Sequence, residues 1–288
     1  MPVDVVGLGT CNMDFITKVP RLVGPDDEVD VEKLVLSAGG SASNFTVGLS
    51  RLKVSTGIIA RIGNDYFGRF CSKKLQKEGV DTKRLLSIDS PTGMVFIAVD
   101  PTGERSMYAH MGANAEFQLL KEDIDYIENS KILHITGMYK EVVEDASKHA
   151  NFLSLNPGIL LSEYGIKCLY KTLKRTNVLF LNKKEVNILT GETLDVGARK
   201  LLDIGVEMVI ITCGKDGANL YADDKIIHSP VKETVALDTT GAGDTFAAGF
   251  IAAYTKGKKL RECLDFANTV ASSCVGKFGA MHMPRACI

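Results

Sequence analysis

Nowhere in the 288 residues is there an unbroken apolar run of the ~18 positions that a membrane-spanning helix needs, so no membrane span is expected. No dense Lys/Arg tract occurs and the formal net charge is -1, which argues against a nucleic-acid partner. The cysteines are seven, an odd number, and form no Cys-x-x-Cys pair, so neither a disulfide frame nor a zinc site is expected. The N-terminal stretch Met1 to Gly7 leads straight into a strand pattern without a basic region followed by a long apolar one. No signal peptide is therefore expected, and together with the scattered thiols this points to a cytoplasmic protein. A Gly-Lys-Ser/Thr phosphate loop is also missing, as are fixed-period repeats and low-complexity linkers.

What is present is the composition of a globular chain, 45% hydrophobic and 24% charged, enough for a large core. Strands are expected at Val3 to Leu8, Gly57 to Ile62, Ile132 to Ile135, Phe152 to Leu155, Val178 to Leu181 and Met208 to Thr212. Helical patterns lie between them, at Ser41 to Leu52, Asp65 to Lys77, Val142 to Ala150, Ser162 to Arg175, Lys184 to Leu189 and Val196 to Ile204. This alternation predicts an α/β fold with a parallel sheet flanked by helices. Residues 1–288 are read as a single domain with two β excursions, at about 15–36 and 93–109, that pair into a small lid. Tyr221 to Val231 reads as a further hairpin, and Ala242 to Lys256 and Leu260 to Gly276 as closing helices.

The chemistry centres on Asp238-Thr239-Thr240-Gly241-Ala242-Gly243-Asp244-Thr245-Phe246, which runs into the apolar helix pattern. A helix starting in Gly-Ala-Gly leaves its first N-H groups and its positive dipole end open to an anion such as a transferring phosphoryl. Asp244, inside the first turn, is placed to accept a proton from an incoming hydroxyl. The bland alternative is an acidic residue that merely favours a helix start. Asn182-Lys183-Lys184-Glu185 fits a capping box, and the same carboxylate and amide could order water around Mg²⁺. Thr212 to Gly217 supplies small residues after a strand, where backbone can approach a phosphate tail. Asn12, Asp14 and Asn44, beside glycines, are candidate sugar contacts. Gly7-Leu8-Gly9 hints at a dinucleotide fingerprint, but Asn12 stands at its third glycine position.

Taken together, these stretches resemble the ribokinase (PfkB) family of carbohydrate kinases, in its nucleoside kinase and ribokinase branch, nearly end to end. Gly39-Gly40-Ser41-Ala42-Ser43-Asn44, with Gly63 to Gly68 downstream, resembles the family's first signature, and Asp238 to Phe246 its second. Gly112-Ala113-Asn114-Ala115, Asn156-Pro157 and Phe266-Ala267-Asn268 follow in order. The resemblance implies a three-layer fold with a mostly parallel central sheet and a β lid. It implies an ATP-dependent kinase with Asp244 as base and the amides of Gly241, Ala242 and Gly243 as anion hole. Asn12, Asp14, Gly39, Gly40, Asn44 and Asn114 would hold the sugar. Asn182, Thr212, Gly214, Gly217 and Asn268 would hold the nucleotide, with Glu185 acting on Mg²⁺ through water and phosphate. Asp238 and Thr240 match part of a site for a monovalent cation, often K⁺. The lid builds a homodimer in several members.

Two departures bear on the acceptor. Ser41 stands where ribokinases usually have Lys, and no acid follows the strand ending Ile135-Thr136-Gly137-Met138, where they place Glu. Both leave room for a bulkier group, which makes a nucleoside presenting its 5′-hydroxyl the leading acceptor. Free ribose, another sugar or a sugar phosphate is the alternative. A non-catalytic sugar-binding regulator and a dinucleotide-dependent oxidoreductase are the competing classes.

Overall fold

The computed structural model describes residues 2–223, 225–231 and 241–275. Thirteen strands are formed by the described residues. They are β1 (Val5–Gly9), β2 (Asn12–Lys18), β3 (Lys33–Gly39), β4 (Thr56–Gly63), β5 (Asp81–Ile88), β6 (Gly93–Val99), β7 (Arg105–His110), β8 (Ile132–Thr136), β9 (Leu153–Asn156), β10 (Val178–Asn182), β11 (Met208–Thr212), β12 (Ala218–Ala222) and β13 (Lys225–Ser229).

Nine strands make one sheet in the order β13-β12-β11-β10-β9-β8-β1-β4-β5, parallel from β11 through β5 and antiparallel at β12 and β13. The parallel strands read as apolar runs because both faces are covered. In β10, Val178 and Phe180 join a core with Phe45, Phe246 and Phe250, while Leu179 and Leu181 join another with Leu169, Val186 and Leu201. One layer thus holds the helices Ser41–Arg51, Ala242–Thr255 and Leu260–Val275, and the other holds Lys140–Ala146, Gly165–Leu173, Lys183–Thr190 and Leu194–Ile204. No helix among the described residues is long and apolar enough to cross a membrane.

The remaining four strands form a separate sheet in the order β3-β2-β6-β7. The expected excursions supply them, but the sheet begins earlier than the sequence pattern indicates. Asn12 and Asp14 lie within β2, not on the end of β1, because Thr10 and Cys11 break the chain between the two sheets. The helix expected at Ser162 to Arg175 is shorter, Gly165–Leu173, and Ser162 instead ends a separate short helix, Gly158–Ser162. The expected hairpin at Tyr221 to Val231 starts three residues sooner, at Ala218. Strand β5 was not anticipated. Asp81, Lys83 and Arg84 charge its first half, as suits the outermost strand of a sheet.

Candidate active site

The site lies at the C-terminal ends of the parallel strands, where the helices following them open toward the lid. Open α/β sheets bind ligands at this edge. Gly40 caps the helix Ser41–Arg51 with φ 90 and ψ 140, a conformation that suits glycine. A Cβ there would come within 2.5 Å of the Thr10 carbonyl oxygen, so only glycine lets this helix start so close to the β1–β2 junction. Ser41 N-H donates to Thr10 Oγ1 at 3.1 Å, which fixes the junction from the other side. One turn into that helix, Asn44 points at the helix Ala242–Thr255.

That second helix is apolar nearly all round and buried from Asp244 to Ala253. Its N-cap, Gly241, sits in the left-handed region at φ 73, and Gly243 has open space where a side chain would be. The first N-H groups of a helix have no partner within it, so this end favours an anion. Asp244 is only 9% exposed, and Asn44 Nδ2 donates to its Oδ2 at 3.0 Å. Burial pushes the Asp244 carboxyl up to about 7 from its ordinary 3.8. The Asn44 hydrogen bond works against that rise and the nearby Glu185 charge adds to it. A carboxylate with that value can take up a proton near neutrality, as a general base must. Asn44 Oδ1 is buried and has no hydrogen-bond partner among the described residues, so it can accept from a ligand hydroxyl.

Asn182 and Glu185 do form the capping box: Glu185 N-H donates to Asn182 Oδ1 at 2.9 Å, and Asn182 N-H donates to Glu185 Oε2 at 3.0 Å. Yet Glu185 also faces the cleft that Asp244 lines, with its own carboxyl pushed up by burial. One side chain therefore both caps its helix and lines the cleft. This placement fits a Mg²⁺ that keeps most of its water and phosphate ligands and meets few protein carboxylates.

A cleft of about 390 Å³ brings together Asn12, Asp14, Gly40, Asn44, Glu185 and Asp244, with Gly241 and Gly243 at its floor. Gly39 lies against the Asp14 carboxylate. Asn114 is fully buried behind these residues. Its Nδ2 donates to Asn12 Oδ1 at 2.8 Å and its Oδ1 accepts from Cys11 N-H at 3.1 Å, so it reaches the cleft only through Asn12. Thr212 is paired in register with Asn182 and leads into the turn Gly214–Asp216, capped by Gly217, where Lys183 Nζ pairs with Asp216 at 2.9 Å; Thr212, Gly214 and Gly217 do not line the cleft itself. Asn268 is buried against β13, its Nδ2 donating to Ser229 O and Oγ, both at 2.9 Å. Ala242 is the first residue of its helix. Asp238 and Thr240 lie outside the described residues.

Sequence reasoning passed over Thr10, Thr136, Arg105 and Met107, which also line the cleft. The signal for the last two was the strand alternation in Arg105 to Ala109, which puts every second residue on one face. A second cavity of about 710 Å³ adjoins the first and shares Thr10, Asn12, Ser41 and Met107 with it. Its other walls are largely apolar, with Ala109 and Met111 from the lid side and Met138, Tyr139, Leu160 and Tyr164 from the body, and Glu163 is the one acid among them.

Residues 3–286 match the family described as pfkB family carbohydrate kinase. An ATP-dependent ribose-1-phosphate kinase of Halopiger xanaduensis is 30% identical, over 99% of this chain and 96% of its own length. A nucleoside kinase of Methanothermobacter thermautotrophicus is 28% identical, over 94% of this chain and 89% of its own. Among solved structures, a ribokinase of Thermotoga maritima superposes with a TM-score of 0.88 at 26% identity, covering 98% of this chain and 96% of that one.

Proposed function

This chain belongs to the PfkB family of carbohydrate kinases and is an ATP-dependent phosphotransferase for a sugar or nucleoside, and from that premise we propose that its acceptor is a nucleoside, phosphorylated at the 5′-hydroxyl. The observation that carries the chemistry is Asp244, a buried carboxylate held by Asn44 in the first turn of a helix whose leading amides face the same cleft. The acceptor O-H gives its proton to Asp244 as its oxygen attacks the γ-phosphorus, and ADP leaves. The amides of Gly241, Ala242 and Gly243 and the helix dipole meet the charge that spreads over the equatorial oxygens. Asn12, Asp14 and Asn44 orient the sugar, with Asn114 and Gly39 holding the first two in place. Thr212, Gly214, Gly217 and Asn182 support the nucleotide, with Asn268 behind them on the adenine side.

Bound Mg²⁺ would neutralise the phosphate charge, with Glu185 ordering its water. A K⁺ ion near Asp238 and Thr240 belongs to the same reading. Residues 1–288 act as one domain in it, in a cytoplasmic setting, with the sheet β3-β2-β6-β7 closing as a lid to exclude water from the transfer. A homodimer through that lid is supported by Leu36, Phe96 and Tyr108, exposed side chains that share one face of the sheet in register.

The nucleoside choice is supported by Ser41, uncharged where ribokinases usually have Lys, by the lack of an acid directly after the stretch Ile135 to Met138, and by the largely apolar cavity beside them. ADP release measured across nucleosides, ribose, fructose and hexose phosphates tests it. Nucleosides are expected to be turned over with the highest kcat/KM. Turnover confined to a free sugar or a sugar phosphate overturns the choice.

A further inference from the structure

Strand β7 touches both cavities through one face. Its alternate residues Arg105, Met107 and Ala109 point inward, while Tyr108 is 73% exposed on the other side. The register across the sheet aligns Asp14 with Val95 and Ala109, Ile16 with Ile97 and Met107, and Lys18 with Val99 and Arg105. From Arg105 to Ala109 the strand covers about 13 Å at its usual rise. Along that distance the chemistry changes. Arg105 is the one cation among the described residues lining the cleft that also holds Asp14, Glu185 and Asp244. Met107 borders both cavities, and Ala109 borders the apolar one alone of the two.

The wall opposite Met107 and Ala109 is largely apolar, with Glu163 as its one acid. Met138 stands two residues past the end of β8, and Tyr139, Leu160 and Tyr164 are 37%, 68% and 45% exposed, side chains of a size that usually seeks cover. Aromatic and thioether groups on two facing walls suit a flat, uncharged ring, which gains dispersion contact on both faces. Glu163 and the hydroxyls of Tyr139 and Tyr164 are the groups on that wall that can hydrogen-bond the edge of such a ring, and the rest of the wall meets its faces.

We propose that β7 sorts acceptors by their two ends. Arg105 covers the end where phosphoryl charge develops, and Met107 with Ala109 clasps a planar heterocyclic substituent against Met138, Tyr139 and Tyr164. This rests on the nucleoside reading and adds to it the residues that select for the base. Because the clasp works by shape and apolar contact, purine and pyrimidine nucleosides are both accepted, whereas the same sugar lacking a base loses the contact.

The test compares kcat/KM for adenosine, cytidine and free ribose in the wild-type enzyme and in Met107→Asp, Tyr164→Ala and Arg105→Met. A charge placed in the clasp, or loss of its facing ring, is expected to lower the nucleoside-to-ribose ratio at least about tenfold. Arg105→Met is expected to lower kcat for all three acceptors alike and to leave the ratio within about twofold. Tyr164 sits at the surface, so its variant keeps the test valid if Met107→Asp does not fold. Wild-type turnover of nucleosides with an unchanged ratio in both clasp variants overturns this inference alone. Wild-type turnover of ribose with none of either nucleoside overturns the nucleoside reading, and this inference with it.

Discussion

Asn44 and Asp244 are 200 residues apart in the chain and 3.0 Å apart in the fold, the amide Nδ2 of the first donating to Oδ2 of the second. The hydrogen bond stabilises the ionised form of a carboxylate that burial would otherwise keep protonated. It joins the start of one helix, laid down early in the chain, to the first turn of another.

Removal of the Asp244 carboxylate, the proposed base, should be the most damaging change. Asp244→Asn is expected to lower kcat by about 10²-fold or more, because general-base catalysis supplies about that much. The variant should fold, since Asn44 Nδ2 can still donate to the amide oxygen. Steady-state ADP release checks the first outcome and circular dichroism the second.

The same side chain sets a pH dependence. With the Asp244 carboxyl pushed up to about 7, kcat/KM should rise with pH and level off above that value, as the base becomes ionised. Stability runs the other way. Between its ordinary 3.8 and about 7 the folded chain keeps a proton that the unfolded chain has released, so this group's contribution falls as pH rises through that window. Urea midpoints at about pH 5 and about pH 8 should show wild type losing ground to Asp244→Asn at the higher pH. An equal change in both proteins would remove this account of the carboxyl.

Asn44→Leu keeps the size of the side chain and deletes its donor. The acid limb of the pH profile should then move to higher pH, since the lost hydrogen bond was holding the carboxyl down. A lower kcat with an unmoved limb would mean that Asn44 acts on the acceptor only.

Glu185→Gln separates the helix cap from the proposed part in holding Mg²⁺. The amide oxygen of Gln can still accept from Asn182 N-H, so the helix cap and the melting temperature should be retained. The Mg²⁺ concentration for half-maximal activity should rise by about tenfold, the effect expected from loss of an outer-sphere partner of a bound ion. Because the Glu185 charge raises the Asp244 carboxyl, the acid limb should also move to lower pH. A variant that melts early with an unchanged Mg²⁺ requirement would leave Glu185 as a cap and nothing more.

Gly39→Ala tests the placing of the sugar. The added methyl group would fall on the Asp14 carboxylate. KM for the acceptor should rise by about tenfold or more, the scale of a misplaced orienting contact, with KM for ATP nearly unchanged. Equal rises in both would point to a disturbed fold.

Much of this was legible in the chain itself. Mostly apolar runs of four or five residues placed β8, β10 and β11 to within one residue, because a parallel strand buried on both faces reads as a near-continuous hydrophobic run. Glycines marked the helix starts at Gly40 and Gly241, where local sterics demand them. Asp244 and the Asn182 to Glu185 box could be named from their positions in first turns, a property of a few neighbouring residues. Only the tertiary structure decided which of these residues meet. Asn12 and Asp14 belong to the lid sheet, Asn114 works from behind them, and Glu185 faces Asp244 as well as capping its helix. The inward face of β7 likewise acquired meaning only once the lid lay over the body. Local conformation follows from neighbours along the chain, whereas burial, the displaced acidity of Asp244 and the shape of the space beside it arise from groups that the chain brings together from far apart.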